Sequence, residues 1–244
     1  MKQILSIALS LLLFVSCQQE TEVWQENNTG FLMLASVKAE VEQVNMNRTR
    51  AVDESFIVEI LREDGSPVKT FQPGELTQQK IQLEAGNYKL KAYTANYNTM
   101  WQNGEKGEAQ YYKEQDFTIV ANQLNSIAVE VPMANTAVSL KLPEGFSEWF
   151  HSYSFSLTQG ERTVSLLDGE TAYISSGVKV SYSLSATNAD EETKESSSSI
   201  ESPEANKLYE ISYSLHQGLR LKTGKDKKQI TSEKATDIFL KSCS

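Results

Sequence analysis

Hydrophobic and polar residues alternate along much of the chain, in short stretches separated by turn-forming residues. Phe56, Val58 and Ile60 fall on one side of such a stretch, and after residues 63–67 the chain returns toward Phe71. A period of two places successive side chains on opposite faces of a strand. The pattern therefore predicts a β-hairpin with one buried face and one solvated face.

The same alternation recurs in both halves of the chain. It is found in residues 88–92, 127–131, 138–142, 153–158 and 178–184. Long runs with helical spacing are few, and Val, Thr, Tyr and Ser are frequent in the alternating stretches. This combination predicts an all-β protein.

One segment of the chain is repeated. Residues 121–124 read Ala-Asn-Gln-Leu and residues 205–208 read Ala-Asn-Lys-Leu, and each is followed at the same spacing by three alternating hydrophobic residues. Upstream, Gly86 and Gly177 open corresponding stretches, with a loop of different length in between. We therefore predict two copies of one β-domain that meet near Ala134 and Asn135. The alternative is one larger barrel with coincidental turn chemistry.

The N-terminal residues have the plan of a secretory signal. Lys2 is followed by an apolar run over residues 4–15, which is too short to span a membrane as a stable helix, and the run ends at Ser16 and Cys17. The end resembles a lipobox in which Phe14 replaces the usual Leu. We predict that Cys17 is lipidated, and the alternative is an ordinary signal peptide with an incidental cysteine.

Lipidation of Cys17 would make the membrane the first partner of the mature chain, because two or more acyl chains give durable anchoring. The acidic stretch over residues 18–22 resembles the export signal that sends Bacteroidetes lipoproteins to the outer face of the outer membrane. The predicted location is therefore the outer membrane, lipid-anchored and exposed at the surface. Only Cys243 would then remain as a thiol, which leaves no internal disulfide.

The prediction for the whole chain combines these signals. The fold class is all-β, with two tandem antiparallel β-sandwich domains of Ig-like type. The predicted segments are a signal peptide over residues 1–16, a lipidated tether over 17–29, the first sandwich over 30–134 and the second over 135–244.

Charge and side-chain chemistry argue against several classes of function. The formal net charge is −9, so there is no positive surface to neutralise phosphates, and nucleic acid is not an expected partner. His151 and His216 have no second ligand at zinc spacing, and no catalytic triad or phosphate loop is present. We predict no enzyme activity, no cofactor and no metal. A hydrolase with two carboxylates brought together by folding stays open.

Two further segments have distinctive composition, one acidic and rich in serine and the other aromatic. The acidic and serine-rich residues 190–199 predict a solvated loop, because adjacent carboxylates are costly to bury. Tyr93, Tyr97, Trp101, Tyr111 and Tyr112 surround a polar loop. We predict that Tyr97, Trp101, Tyr111 and Tyr112 form a ligand-binding surface, since Tyr and Trp combine a large apolar area with a polar tip. The alternative is that Tyr93 and Tyr112 complete the core and the loop tip is idle.

Several short motifs carry a family resemblance that covers most of the mature chain. They are Gly30-Phe31-Leu32, Tyr111-Tyr112, Asp116-Phe117-Thr118, Asn122 and residues 133–138. With these motifs the chain resembles an uncharacterised family of Bacteroidales lipoproteins, similar in style to fimbrillin-like proteins. The resemblance implies tandem fimbrillin-like β-sandwich domains at the cell surface, in fimbrial or adhesive assemblies, and it implies no active-site residues.

The resemblance also implies a candidate role for Arg48 and Arg50 in proteolytic processing. Some fimbrillins are cut after an arginine near this point, which removes the first strand and opens a groove for a neighbour's strand. An unpaired sheet edge is a template for strand addition. Arg50 is therefore a candidate processing site, and the alternative is that both arginines lie in an ordinary solvated loop.

The sequence thus favours a surface-exposed structural or adhesive lipoprotein, fimbria-associated in the sense of the resemblance, that presents β-domain edges and loops to a protein or glycan partner. The alternative function is an accessory glycan-binding lipoprotein of a nutrient-uptake system, with Trp101 and the neighbouring tyrosines as the platform.

Overall fold

The structure of the chain, a computed structural model, describes residues 28–40, 56–75, 80–218 and 235–243, with the backbone alone for 216–218 and 235–243. The predicted signal peptide, Cys17 and Arg50 lie outside the described residues, and predictions about them stay predictions. Nearly all of the described elements are strands.

The first module consists of strands that form two facing sheets. Its strands are β1 (Thr29–Ala39), β2 (Phe56–Arg62), β3 (Pro67–Phe71), β4 (Lys80–Glu84), β5 (Gly86–Thr94), β6 (Tyr112–Ile119) and β7 (Leu124–Val131). One sheet has the order β4-β1-β7 and the other has the order β3-β2-β5-β6. The hairpin predicted around residues 63–67 is the β2–β3 pair.

The second module repeats this arrangement and adds a short helix and a further strand. Its elements are β8 (Thr136–Lys141), α1 (Phe146–Trp149), β9 (Phe150–Gln159), β10 (Arg162–Ser165), β11 (Thr171–Ile174), β12 (Val180–Asn188), β13 (Thr193–Ile200), β14 (Leu208–Gly218) and β15 (Ala235–Cys243). The sheet orders are β11-β8-β14-β15 and β10-β9-β12-β13. Strand for strand, β8 to β14 occupy the places of β1 to β7.

The repeat extends to backbone conformation. Asn122 and Asn206, aligned in the sequence, have φ angles of 59° and 60° in the turns that precede β7 and β14. This left-handed conformation is one that asparagine tolerates better than most residues. The all-β prediction with two sandwich modules is confirmed, while the exact domain limits stay a prediction.

Each module has its own hydrophobic core between its two sheets. Leu32, Phe56 and Ile60 are fully buried in the first, and Phe155 and Leu184 are nearly so in the second. Burying a side chain of this size contributes about 1.5–3 kcal/mol, so each core supports its own fold. The alternating hydrophobic residues of the sequence supply these positions.

The sheets differ from the predicted antiparallel pattern at one place in each module. β1 pairs with β7 in parallel, with Phe31 opposite Leu124, and β14 pairs with β8 in parallel, with Leu208 opposite Ala137. The other described strand pairs are antiparallel. Each module is therefore closed by a parallel contact between its first strand and its seventh.

The prediction of a loop over residues 190–199 is wrong for most of that segment. Residues 193–200 form β13, which pairs with β12 from Thr193 opposite Thr187 to Ile200 opposite Val180. Its side chains are mostly exposed, as the sequence predicted. The segment is a strand because hydrogen bonds to β12 outweigh the low strand preference of serine.

Candidate functional site

The connection between β5 and β6, residues 95–111, reaches from the first module to the second. Thr163 of β10 has both outward backbone groups occupied by this loop. Its N–H donates to Oδ1 of Asn103 at 2.7 Å, and its carbonyl accepts from the N–H of Gly104 at 2.9 Å. The loop thus binds the open edge of one sheet of the second module.

The same loop also binds the edge strand of the other sheet. The N–H of Tyr173 in β11 donates to the carbonyl of Lys106 at 2.7 Å, and Lys106 forms an ion pair with Glu170. Arg162 donates through Nη1 to the carbonyl of Tyr173 at 2.8 Å and through Nη2 to the carbonyl of Glu105. Because β10 and β11 are edge strands, the loop covers edge groups that strand addition would require.

A second group of hydrogen bonds fixes the short connection from β7 to β8. Asn135, which is 5% exposed, accepts from the N–H of Gln110 at 3.1 Å and donates to the carbonyl of Glu108 at 2.9 Å. Asn206 accepts from the N–H of Met133 at 3.1 Å. Residues of both modules therefore hold this connection. We call the loop 95–111, together with its partners in β10 and β11 and with Asn135 and Asn206, the junction.

Trp101 belongs to the junction. A Cβ atom added at Gly107 would lie 2.9 Å from the Trp101 ring, so the indole packs directly on the Gly107 backbone. Gly107 also has a φ of 75°, which glycine adopts without strain. The indole N–H is buried and has no hydrogen-bond partner among the residues that the structure describes. The half-buried ring of Trp101 therefore packs against its own loop.

Three tyrosines form a cluster on the outer face of the β3-β2-β5-β6 sheet. The rings of Tyr97 and Tyr112 are stacked with centroids 4.4 Å apart, and Tyr93 lies 6.3 Å from Tyr97. Tyr93 and Tyr112 are directly opposite on β5 and β6. We call these three residues the tyrosine cluster. All three side chains are partly exposed.

Charged residues continue this face along the strands. The Tyr93 hydroxyl donates to Glu59 at 3.0 Å and the Tyr112 hydroxyl donates to Glu114 at 2.9 Å, while Lys89 lies 2.6 Å from Glu114. Burial and the hydrogen bond to Glu114 raise the pKa of Tyr112 to about 12. The hydrogen bonds from Lys89 and Tyr112 lower the pKa of Glu114. The face therefore combines aromatic area with fixed polar groups.

The four residues predicted to bind a ligand occupy three different places. Tyr97 and Tyr112 are together in the tyrosine cluster, and Trp101 is in the junction. Tyr111 lies on the other side of the sheet, where its ring meets Phe56 edge-on at 6.0 Å. Their role in binding stays a prediction. Tyr93, which lies beside the same loop in the sequence but is not among the four predicted binding residues, belongs to the tyrosine cluster, directly opposite Tyr112.

Other chemistry is sparse in the described part of the chain. His151 is exposed, and no group of three or more His, Cys, Asp or Glu side chains there could hold a metal ion. The His216 side chain lies outside the described residues. Within the same ranges, no helix has the length and apolar character that a membrane span requires.

Comparison with protein families gives a match over most of the chain. The model of the family described as a domain of unknown function, DUF4493, matches residues 28–237. The chain belongs to the DUF4493 family. The match begins just before β1 and ends within β15, so the repeated strands β1 to β14 and the junction lie within the DUF4493 region. A search of the curated proteins found no match.

Solved structures resemble this DUF4493 chain at low sequence identity. A candidate cell adhesion protein from Bacteroides eggerthii has a TM-score of 0.45 and 9% identity, over 89% of this chain and 95% of that one. The fimbrial anchor protein Mfa2 from Porphyromonas gingivalis has a TM-score of 0.41 and 11% identity, over 87% and 97%. A candidate polysaccharide-binding protein from Bacteroides thetaiotaomicron has a TM-score of 0.44 and 10% identity, over 75% and 91%. At these scores the likeness carries no argument about ligand or partner.

Proposed function

We propose that this protein is a lipid-anchored, surface-exposed structural or adhesive protein of the outer membrane, associated with fimbriae or a similar assembly. Cys17 carries the lipid, the membrane is its first partner, and a protein or glycan at the cell surface is its second. The role is non-catalytic and uses neither a cofactor nor a metal.

The observation that carries the proposal is the junction. A loop of the first module occupies both sheet edges of the second, and Asn135 and Asn206 hold the connection between them. An adhesive or assembling protein gains when the contact surfaces of its two modules keep a fixed position relative to each other. A linker that is hydrogen-bonded on both sides does this, whereas a free linker lets the two modules move independently.

Two measurements on cells test the proposal. Cys17→Ser is expected to move the protein from the membrane fraction to the soluble fraction. Protease treatment of intact cells is expected to remove the unaltered protein, as it would any surface protein. If the Cys17→Ser protein stays as membrane-bound as before, lipid anchoring is wrong. If the unaltered protein survives the protease while an established surface protein is lost, surface exposure is wrong.

The tyrosine cluster supports a second candidate function, glycan binding for a nutrient-uptake system. Stacked tyrosines with polar tips suit the flat faces of sugar rings. On a glycan array, Tyr97→Ala should then abolish binding, and Trp101→Ala should leave it in place, because Trp101 lies in the junction. A blank array together with self-association of the protein favours the structural role instead.

Processing after Arg50 remains part of the proposal for assembly. β1 lies between β4 and β7 in its sheet, so its removal would leave a gap with an unpaired strand edge on each side. Cleavage after Arg50 would also remove Cys17, so only the unprocessed form would be held by the lipid anchor. N-terminal sequencing of the protein taken from cells tests this. A chain that begins at Cys17 in every sample ends the idea.

A further inference from the structure

The first module has two ends with different connections. At one end β1 begins at Thr29 and β7 begins at Leu124, because these two strands run in parallel. At the other end β7 leads to Pro132 and the second module, and the loop 95–111 leaves from Thr94. The chain that comes from Cys17 therefore enters the first module at the end opposite the junction.

Three apolar side chains are exposed at the end where the chain enters. Phe31 is 39% exposed, Val120 is 42% exposed and Leu124 is 50% exposed. Phe31 and Leu124 are directly opposite on β1 and β7, and the N–H of Phe31 donates to the carbonyl of Gln123 at 2.8 Å. An added Cβ on Gly30 would lie 2.3 Å from the carbonyl oxygen of Val120, which puts the turn against β1. The three residues thus form one surface, which we call the end patch.

The parts of β1 and β7 next to the end patch carry no charge, and their charged pair, Lys38 and Glu130, lies at the other end of the two strands. Residues 29–37 and 120–129 contain no Asp, Glu, Lys or Arg, although the chain has 32 acidic and 23 basic residues. The polar residues nearest Phe31 are amides: Gln82 is directly opposite Phe31, and Asn125 donates to the carbonyl of Phe31 at 3.3 Å. On β4, the charged residues Glu84 and Lys80 stand opposite Thr29 and Met33. Uncharged amides around exposed apolar side chains lower the cost of moving this end into a lipid interface.

Chain length places the end patch near the lipid. Between Cys17 and Asn28 the chain can reach roughly 40 Å when fully extended, and a flexible chain of that length spans about 18 Å on average. A bilayer that holds the acyl chains of Cys17 is therefore within reach of Phe31.

We propose that the end patch is a membrane-contact surface, which inserts Phe31, Val120 and Leu124 into the headgroup region of the bilayer that holds the anchor. The occupant is a lipid surface, and the second module then faces away from it. The orientation rests on the proposed lipidation of Cys17, whereas the affinity of the patch for lipid does not.

Partition of the unlipidated Cys17→Ser chain into phosphatidylcholine vesicles tests the patch without the anchor. Leu124→Asp is expected to lower the partition coefficient about tenfold, because a charge at an inserted position is costly. Leu167→Asp is the matched control, since Leu167 is an exposed leucine of the second module (62%), and it should leave partition unchanged. Equal partition of all three proteins, or equal loss in both variants, overturns the proposal.

Fluorescence of the lipidated protein tests the orientation. In a Cys243→Ser background, a fluorophore is attached at Leu124→Cys or at Leu167→Cys, and the vesicles contain a lipid that carries a quencher. Quenching at least threefold greater at position 124 supports the proposal. Equal quenching at both positions, or a label at 124 that is already shielded without vesicles by another part of the chain or by a second copy, overturns it.

Mass spectrometry separates failure of the patch from failure of the anchor. Absence of acyl chains on Cys17 in cells contradicts the proposed function, and the partition experiment still decides on the patch. Acylated Cys17 without a difference between Leu124→Asp and Leu167→Asp contradicts the patch alone.

Discussion

The two modules have the same strand order but differ at one equivalent connection. Between β5 and β6 the chain makes the long loop 95–111, which crosses to the second module, whereas between β12 and β13 it makes the short turn 189–192. That turn closes on itself, with the N–H of Asn188 donating to the carbonyl of Glu192 at 2.9 Å. The repeat therefore determines the fold, and the departure from the repeat creates the junction.

Equivalent outer faces of the two modules also differ in chemistry. On the first, Lys91 is opposite Glu114, one row from the tyrosine cluster. On the second, Ser183 lies between Ser156 and Ser197, and the hydroxyls of Ser156 and Ser183 are 3.0 Å apart. Aromatic and charged side chains are long and can contact a ligand in a defined orientation, whereas the short serine hydroxyls already bond to each other. We therefore expect the outer face of the first module, rather than that of the second, to bind a ligand.

The largest expected effect comes from removing a core side chain of the second module. Phe155→Ala should lower the free energy of unfolding of that module by about 3–5 kcal/mol, because it deletes a fully buried ring. Urea denaturation measures this. Protease cleavage in the loop 95–111 should also increase, since β10 and β11 hold that loop. The matched change in the first module, Phe56→Ala, should destabilise its own sheets, and identical cleavage of the loop in both variants would contradict the link to β10 and β11.

Breaking the junction directly should have a smaller effect. Arg162→Ala removes two charge-assisted hydrogen bonds, to the carbonyls of Tyr173 and Glu105, and should cost about 2–3 kcal/mol of unfolding free energy. Limited proteolysis should then cut the loop 95–111 faster. Arg62→Ala, at an exposed arginine outside the junction, is the control and should change stability by less than about 0.5 kcal/mol. Similar losses in both variants would show that the junction does not depend on Arg162.

Alanine substitutions at two glycines of the loop distinguish the cost of backbone strain from the cost of disturbed packing. Gly104 and Gly107 have φ angles of 85° and 75°, but only Gly107 would bring a Cβ against Trp101. Both alanine variants should lose about 1 kcal/mol from strain, and Gly107→Ala should lose about 1 kcal/mol more, because the ring must move. Thermal denaturation measures both, with Trp101 fluorescence as the local signal. A Gly107→Ala variant no less stable than Gly104→Ala would mean that the ring moves freely.

The smallest effect concerns the tyrosine cluster at high pH. Burial and Glu114 raise the pKa of Tyr112 from 10.0 to about 12, so the folded state keeps this proton after the unfolded state has lost it. The stabilisation is complete below about pH 10 and disappears as pH rises to about 12. Absorbance titration of tyrosinate should show one late-ionising group fewer in Tyr112→Phe, whereas the buried Tyr213 stays late in both proteins, because burial raises its pKa well above the usual range. Glu114→Gln should bring the ionisation of Tyr112 closer to pH 10. An unchanged number of late-ionising tyrosines in Tyr112→Phe would contradict the raised pKa of Tyr112.

Much of the fold was predictable from the sequence, because alternating residues and turn residues act locally. Asn122 and Asn206 carry information about both the repeat and the backbone conformation that it requires. The strand β13 was not predictable from composition, because four consecutive serines have no alternation to read. The parallel contact between β1 and β7 was equally hidden, since nothing local indicates which strands meet after folding.

The candidate site was predictable only in part for the same reason. Tyr111 and Tyr112 are neighbours where the chain enters β6, and alternation implies that they face opposite sides, so that both could not share one surface. The position of Trp101 depends on Arg162 and Thr163, which are far away in sequence and hold its loop. Contacts between modules leave no periodic signal, so the junction became visible only in the structure.

The parallel pairs have a mechanical consequence for an anchored protein. If force acts between the N-terminal end of β1 and the C-terminal end of β7, it slides the two strands along each other, and all of their hydrogen bonds resist together. In the second module β8 and β14 are also parallel, but the chain returns through the antiparallel β15. A protein pulled at the ends of β1 and β7 would therefore load this first-module pair in shear, and the pair must yield as a whole.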